Sequence, residues 1–327
     1  MVKRVIEASM AVALAVKMSR PAVVPMYPIT PQTHIVERIS DFIANGEMNS
    51  EMIHVESEHS AISAALGASA SGVRTFTATS SQGLALMNEV LHATSGMRLP
   101  VVMAVANRAL SAPINIWNDH QDTISARDTG WLQLYVESAQ EAFDTVVQAF
   151  KIAEDNRVLT PVMVCLDGFT LTHVYEPVDI PTQAGIDKFL GPFRANYETL
   201  NPKKPVSLGP IAFPDAYMEL KHAQHIDLIN SVDVVKEAHD MFSKQFSRAY
   251  GDGLVETYML EDAEYAVMGM GTICGTARVV IDRMRKKGRK VGLIKLKCYR
   301  PFPWKIIRNK LDHLKGLAVL DRGLSLS

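Results

Sequence analysis

Four tracts concentrate side chains able to handle anions and protons. Tyr27-Pro28-Ile29-Thr30-Pro31-Gln32-Thr33 joins a short apolar run to a helical pattern. Its prolines fix the turn, Pro31 suits a first helical position where a missing N–H costs nothing, and Thr30 is placed to cap. The same turn, at the carboxyl end of a parallel strand, would offer a hydroxyl and free N–H groups to an anion; both readings stand on spacing alone. His54-Val55-Glu56-Ser57-Glu58-His59-Ser60 then runs into the Ala-rich segment 61–70. A carboxylate in that first turn either complements the helix dipole or reaches over the sheet edge as an acid–base group. Glu58 is the candidate and Glu56 its rival. Thr75-Phe76-Thr77-Ala78-Thr79-Ser80-Ser81-Gln82-Gly83-Leu84 brings five hydroxyls and an amide to one strand end. Ser80 or Ser81 serves as an N-cap, and the remainder exceeds what a cap requires. Asn107-Arg108-Ala109-Leu110-Ser111-Ala112-Pro113 sets an arginine at the same edge, where a planar guanidinium suits a carboxylate through two hydrogen bonds.

Weaker signals follow. Trp117-Asn118-Asp119-His120-Gln121-Asp122 and Arg127-Asp128-Thr129-Gly130-Trp131 form a polar loop longer than a connection needs. His120 flanked by Asp119 and Asp122 offers one His and two acids, a weak metal set without further ligands, and no metal ligand is assigned to this chain. Gly269-Met270-Gly271-Thr272-Ile273-Cys274-Gly275 resembles a dinucleotide loop, but its spacing is GxGxxxG and the next strand ends in Lys295 and Lys297 instead of an acid for a ribose. Cys165, Cys274 and Cys298 are the chain's three cysteines and cannot close a four-cysteine iron–sulfur cluster.

These tracts need a scaffold that delivers them to one edge. Apolar runs at 22–27, 52–55, 74–77, 100–106 and 161–166 alternate with helical patterns at 33–44, 57–71, 80–96 and 139–154, the signature of a parallel α/β sheet. Val5, Met10, Ala11, Leu14 and Met18 have the spacing of an amphipathic first helix retained in the mature protein. Residues 175–227 are Pro-rich and read as an extended connector, and a long helix is expected over 228–250. The alternation resumes with strands at 265–270, 290–295 and 316–320 and helices at 274–287 and 304–314, a second and smaller α/β domain. It ends on a strand and loop, so the natural chain is expected to continue past Ser327. With 34 Lys+Arg against 35 Asp+Glu, the 327-residue chain has no basic surplus for nucleic acid. No apolar run approaches the roughly 20 residues of a membrane span. The absence of a disulfide framework and of a secretion signal fits the cytoplasm.

Taken together and in order, 27–33, 55–67, 76–87, 107–113, 119–122 and 127–131, with Asp167-Gly168-Phe169, closely resemble the alpha subunits of the pyruvate:ferredoxin oxidoreductases, or pyruvate synthases, within the 2-oxoacid:ferredoxin oxidoreductase family. The resemblance covers essentially the whole chain. It implies a thiamine-diphosphate-binding fold, with an aminopyrimidine-binding domain over 1–227 that includes the connector 175–227. A linking helix and a transketolase C-terminal-like domain, truncated at its end, fill 228–327. It implies that Glu58, not Glu56, hydrogen-bonds the aminopyrimidine ring and promotes loss of a proton from the thiazolium carbon, and that Thr30 and Arg108 hold the pyruvate carboxylate. Pro28, Ile29, Ser81 and Gln82 join Glu58 around the cofactor.

The partners implied are beta, gamma and delta subunits, which carry Mg2+ and 4Fe-4S clusters, together with ferredoxin, pyruvate and coenzyme A. The reaction implied is oxidative decarboxylation of pyruvate to acetyl-CoA and carbon dioxide, reversible for carbon dioxide fixation. Gly251-Asp252-Gly253 resembles the start of a thiamine diphosphate metal motif but lacks the later asparagine and reads as a turn. Gln32-Thr33 departs from the serines that single-chain members carry there. Arg108 favours pyruvate over 2-oxoglutarate. A 2-oxoisovalerate enzyme shares most of these motifs, and a non-catalytic scaffold or a nicotinamide-dependent dehydrogenase are the readings from other classes.

Overall fold

A computed structural model of the chain describes residues 2–324. The chain enters as β1 (Val2–Glu7), then α1 (Ala8–Ser19), β2 (Val23–Met26), α2 (Thr33–Ala44), β3 (Glu51–His54), α3 (Glu58–Ala70), β4 (Phe76–Thr79), α4 (Ser81–Leu86), α5 (Asn88–Gly96) and β5 (Val102–Asn107). It continues through α6 (Gln121–Ser125), β6 (Leu132–Val136), α7 (Ala139–Ala153), β7 (Val162–Asp167), β8 (Tyr175–Ile180), α8 (Gln183–Leu190) and α9 (Tyr217–Phe246). The last part comprises β9 (Val255–Tyr258), β10 (Tyr265–Gly269), α10 (Ile273–Arg285), β11 (Val291–Leu296), β12 (Cys298–Arg300), α11 (Trp304–Leu311) and β13 (Gly316–Val319).

The first sheet has the order β12-β6-β7-β5-β4, parallel throughout except for β12. The parallel pair β2-β3 extends it through a bridge between Val23 and Thr75. Every residue of β5, β6 and β7 is buried, as expected of strands covered on both faces. α1 packs against α7 and α2, and its Ala-rich surface is buried nearly all round, so it is a core helix and not a surface one. Val5 is not part of it. It lies in β1, paired antiparallel with Pro177 of β8, and is exposed along with Val2, Lys3 and Arg4, because this stretch of the two-stranded pair lies outside the core.

The segment 175–227 is more ordered than a connector: it supplies β8, α8 and the first turns of α9. That long helix begins at Tyr217, earlier than expected, and the helix expected over 80–96 is divided at Met87 into α4 and α5. The second sheet runs β13-β10-β11-β9, with β9 antiparallel. β12 leaves it to pair with β6 of the first sheet, Cys298 opposite Leu134. A buried ionic seam lies between the two sheets. Lys295 and Lys297 each donate to Glu141 of α7 at 2.7 Å, and Lys297 also donates to Thr145 at 2.7 Å.

Candidate active site

The carboxyl ends of β2, β4, β5 and β7 meet at one edge, and four of the marked tracts arrive there. Ser57 caps α3 by accepting the Ser60 N–H at 3.2 Å. This sets Glu58 as the first helical residue, 8 % exposed, with its side chain over α4. A β-carbon at position 83 would lie 2.7 Å from Glu58 Oε1 and 2.5 Å from Thr79 Oγ1, so only glycine lets α4 approach this carboxylate. Among the described residues no hydrogen bond reaches the Glu58 carboxyl. Glu56, in contrast, is exposed and accepts the Ser60 hydroxyl at 2.5 Å. Burial thus distinguishes the two rivals that spacing left open.

Thr79 and Ser80 form the floor. Ser80 holds the N-cap position of α4, yet its hydroxyl makes no capping bond; like Thr79 Oγ1, it is buried without a partner. The next residue, Ser81, has φ +49°, in the left-handed region that a serine enters at a cost. It is held there on both sides: its N–H donates to Asp122 at 3.0 Å and its hydroxyl to the Ala109 carbonyl at 2.6 Å.

Arg108, 8 % exposed, reaches across this floor. It donates to the Thr30 carbonyl at 2.8 Å and to Gln82 Oε1 at 2.7 Å, while its Nε has no partner among the described residues. Burial lowers its affinity for the proton, and the charges of Asp122 and Glu58 oppose that effect. Thr30 therefore meets Arg108 through its carbonyl and keeps its side chain exposed. It does not cap α2, whose N-cap is Gln32, and Pro31 lies in the preceding turn instead of the first helical position. Gln32, the departure noted above, is buried; it donates to the Ala78 carbonyl at 2.9 Å and accepts the Ile29 N–H at 3.3 Å. It pins the Pro28-Ile29-Thr30 turn to the floor strand, a task a serine is too short to perform.

Asp122 was legible only as a weak metal ligand, and its geometry is different. Its contacts are all donors: the N–H groups of Ser81, Arg108 and Thr123 and the Asn107 side-chain amide at 2.7–3.0 Å, with the Thr123 hydroxyl farther off at 3.5 Å. Burial pushes this carboxyl up to about 6, against the pull of those donors. His120 turns instead to Asp167 at the end of β7, 2.6 Å away. Burial raises Asp167 too, but His120, Arg322 and Thr272 outweigh it and hold the carboxyl below its ordinary value. Among the described residues, no group of three or more His, Cys, Asp or Glu side chains could hold a metal ion.

The glycine loop before α10 is filled from within the chain. The Thr272 N–H and hydroxyl both donate to Asp167, the N–H at 2.8 Å, and Gly271, φ +67°, lies against the same carboxylate. An anion site at a helix N-terminus is thus taken by an internal carboxylate and serves as a joint between the sheets. Asp252 likewise accepts the N–H groups of Leu254 and Val255, forming a turn.

A family model described as pyruvate flavodoxin/ferredoxin oxidoreductase, thiamine diphosphate-binding, matches residues 14–240, and one described as pyruvate:ferredoxin oxidoreductase core domain II matches 263–327. The chain belongs to the 2-oxoacid:ferredoxin oxidoreductase family. Among its relatives are pyruvate synthase subunits PorA of Methanocaldococcus jannaschii, 51% identical over 99% of this chain and 83% of the relative, and of Methanothermobacter thermautotrophicus, 52% identical over 100% and 85%. A ketoisovalerate oxidoreductase subunit VorA of Pyrococcus abyssi is 44% identical over 99% of this chain and 81% of the relative. In fold the chain is similar to a 2-oxoglutarate:ferredoxin oxidoreductase of Magnetococcus marinus, with TM-score 0.78 and 21% identity over 97% of this chain and 57% of the other. A split-gene transketolase is more distant, with TM-score 0.56 and 11% identity over 97% and 78%.

The edge fits the thiamine diphosphate that the family model names. Glu58 is a buried carboxyl with no internal donor, and two orphaned hydroxyls lie beside it at Thr79 and Ser80. Buried polar atoms without partners mark a place where a polar ring is to be received.

Proposed function

We propose that this chain is the alpha subunit of a multi-subunit pyruvate:ferredoxin oxidoreductase, a pyruvate synthase when run in reverse. Residues 1–227 form the aminopyrimidine-binding domain, and 228–327 supply the linking helix and a transketolase C-terminal-like domain. The observation that carries this reading is the buried, unpaired Glu58 carboxyl facing Gly83, with Arg108 fixed on the Thr30 carbonyl at the same edge. The identity of 51–52% to pyruvate synthase subunits, against 44% to a ketoisovalerate oxidoreductase subunit, supports pyruvate over the branched-chain 2-oxoacid.

Thiamine diphosphate, when bound, supplies the nucleophilic carbon and electron sink needed to remove carbon dioxide from a 2-oxoacid. This chain's own residues do the rest of the local work. Glu58 holds or yields a proton at its carboxyl oxygen toward a ring nitrogen, in a position shielded from water where such a transfer is efficient. Thr79, Ser80, Ser81 and Gln82 line the floor, and Pro28 and Ile29 bound the ring. The Thr30 hydroxyl and the Arg108 guanidinium orient the carboxylate of the substrate.

Electrons must leave through other chains. Cys165, Cys274 and Cys298 are buried and free, and burial pushes Cys165 well above its ordinary value and the other two up to about 12. Three dispersed, buried thiols fall short of the four that a typical cluster needs. The 4Fe-4S clusters and Mg2+ are therefore assigned to beta, gamma and delta partner subunits, with coenzyme A and ferredoxin as co-substrates in the cytoplasm. No helix among the described residues is long and apolar enough to cross a membrane.

The test is to purify the assembly anaerobically through a tag on this chain and to measure coenzyme A-dependent ferredoxin reduction. Pyruvate should be strongly preferred over 2-oxoisovalerate and 2-oxoglutarate. Preference for 2-oxoisovalerate would overturn the substrate and keep the chemistry, whereas no 2-oxoacid activity in an assembly holding thiamine diphosphate and intact clusters would end the proposal. Activity that survives Glu58→Gln would favour a scaffold role.

A further inference from the structure

We propose that Asp122 is the positioning residue of the substrate-carboxylate site, a buried carboxylate that ties the backbone of Ser81 to the backbone of Arg108 and so sets the spacing of Gln82 and Arg108. This rests on the reading above that Arg108 receives the 2-oxoacid carboxylate.

One oxygen, Oδ2, accepts the N–H of Ser81 and the N–H of Arg108, each at 3.0 Å, which links the entrance of α4 to the end of β5. The other, Oδ1, accepts the Asn107 side-chain amide at 2.8 Å and the Thr123 N–H at 2.7 Å. Asp122 is 1 % exposed, and among the described residues it has no ion pair. The Arg108 guanidinium is turned away from it, toward the Thr30 carbonyl and Gln82 Oε1. Gln82 Oε1 also lies 2.6 Å from the Ser81 hydroxyl oxygen, whose one proton it shares with the Ala109 carbonyl. The two residues whose backbone amides share Oδ2 are therefore the two whose side chains converge on Gln82. The left-handed Ser81 is stable only while such contacts over-determine it.

Four donors around one carboxyl select the ionised form for holding this geometry. A proton on either oxygen, or the NH2 of an asparagine, would face N–H groups with nothing to accept it. The other titratable groups within reach of the Asp122 charge are the Tyr135 phenol of β6, the Cys165 thiol of β7 and the Arg108 guanidinium. The tyrosine and the thiol are held neutral by burial. A turn anchor with no role in substrate placement would use the same bonds, so the two must be separated by what moves with the substrate.

The experiment compares the intact assembly with its Asp122→Asn variant. We expect KM for pyruvate to rise roughly tenfold to hundredfold, with kcat falling less. Amide hydrogen exchange, measured without substrate, should quicken in 76–87 and 102–110 and stay unchanged in β7 and α7. In the wild type, KM should climb as pH falls from about 7 to about 5, and the variant should be flat over that range. A lower melting temperature with unchanged KM and an unchanged pH profile would overturn the proposal. If the variant fails to assemble, the wild-type arm decides, since a pH-independent KM overturns it and a rising one supports it. If the wild-type assembly has no activity on pyruvate, the functional reading fails by itself. The exchange arm then decides the tie between the two loops: unchanged exchange overturns it, and faster exchange in both segments supports it.

Discussion

Two buried carboxylates, Asp122 at the carboxyl ends of the first sheet and Glu141 at the seam between the sheets, are held by opposite means. Glu141 takes an ammonium on each oxygen, Lys297 on one and Lys295 on the other, and also accepts the Glu137 N–H at 2.7 Å. Burial alone would raise it, but the two lysines outweigh burial and bring it down to about 2. Asp122 receives only neutral amides, and burial leaves it at about 6. The difference has a sign in stability. Glu141 contributes on the order of 3 kcal/mol above about pH 4.5, lost as pH falls through about 2. Ionised Asp122 instead costs about 3 kcal/mol above about pH 6, a cost that disappears as pH falls toward about 4. The seam gathers opposite charges where cohesion is needed. The edge keeps a charge on amides and leaves Thr79, Ser80, Asn107 and Arg108 each with an unused polar atom. Unused polar atoms gathered at one strand edge fit a place where a polar ligand completes them.

The contrast is sharpest at Glu58. Glu58→Gln should lower kcat of the assembly by roughly 10²–10⁴-fold, because a proton-transfer group is removed, while the melting temperature stays near wild type. A large loss of thermal stability would assign Glu58 to the framework instead. At the seam the outcome should be reversed. Glu141→Gln leaves the buried Lys297 ammonium without its carboxylate, while Lys295 keeps Glu137 at 2.9 Å and Glu256 at 3.2 Å, and should destabilise the chain by about 3–5 kcal/mol in thermal or denaturant unfolding. Activity per folded molecule should be retained, and the wild-type loss of stability between about pH 4.5 and about pH 2 should flatten in the variant. If kcat fell in step with stability, the division between seam and edge would not hold.

Arg108→Lys should raise KM for pyruvate about tenfold or more with a smaller change in kcat, because an ammonium cannot serve the Thr30 carbonyl, Gln82 and a carboxylate in one plane. Equal losses in kcat and kcat/KM would move Arg108 from binding into the transition state. The smallest effect is expected from Ser80→Ala. Its hydroxyl has no internal partner, so stability should change by less than about 1 kcal/mol. Thiamine diphosphate affinity, read by fluorescence or calorimetric titration of the assembly, should still weaken. Unchanged affinity would remove Ser80 from the floor.

Much of this was legible because strand ends in a parallel sheet converge by topology. Once 74–77 and 100–106 were read as parallel strands, Ser80–Gln82 and Arg108 had to arrive at one edge. The choice of Glu58 over Glu56 needed the helix start at Ser57, which buries one and exposes the other. What spacing could not disclose was pairing between distant segments. The apolar residues of β1 fit a helix as well as a strand, and its partner β8 carries Pro177 and two acids, so neither announces a sheet. β6 was hidden behind a polar loop, and the three residues of β12 are too few for any period to show. Asp122 was visible as an acid in that loop, but its task depends on amides 41 and 14 residues away along the chain, which no local pattern encodes.

The excursion of β12 has a practical consequence for anyone dividing the gene. A fragment ending near residue 227 would keep β6 but lose the strand that covers it, since Cys298 and Arg300 come from the other end of the chain. The sequence of β6, Leu132-Gln133-Leu134-Tyr135-Val136, is uncharged and wholly buried in the intact chain. Bared along one side, such a strand is a template for edge-to-edge association. The isolated fragment 1–227 should therefore precipitate or form higher oligomers on expression, and should be rescued by adding back 291–311 in trans.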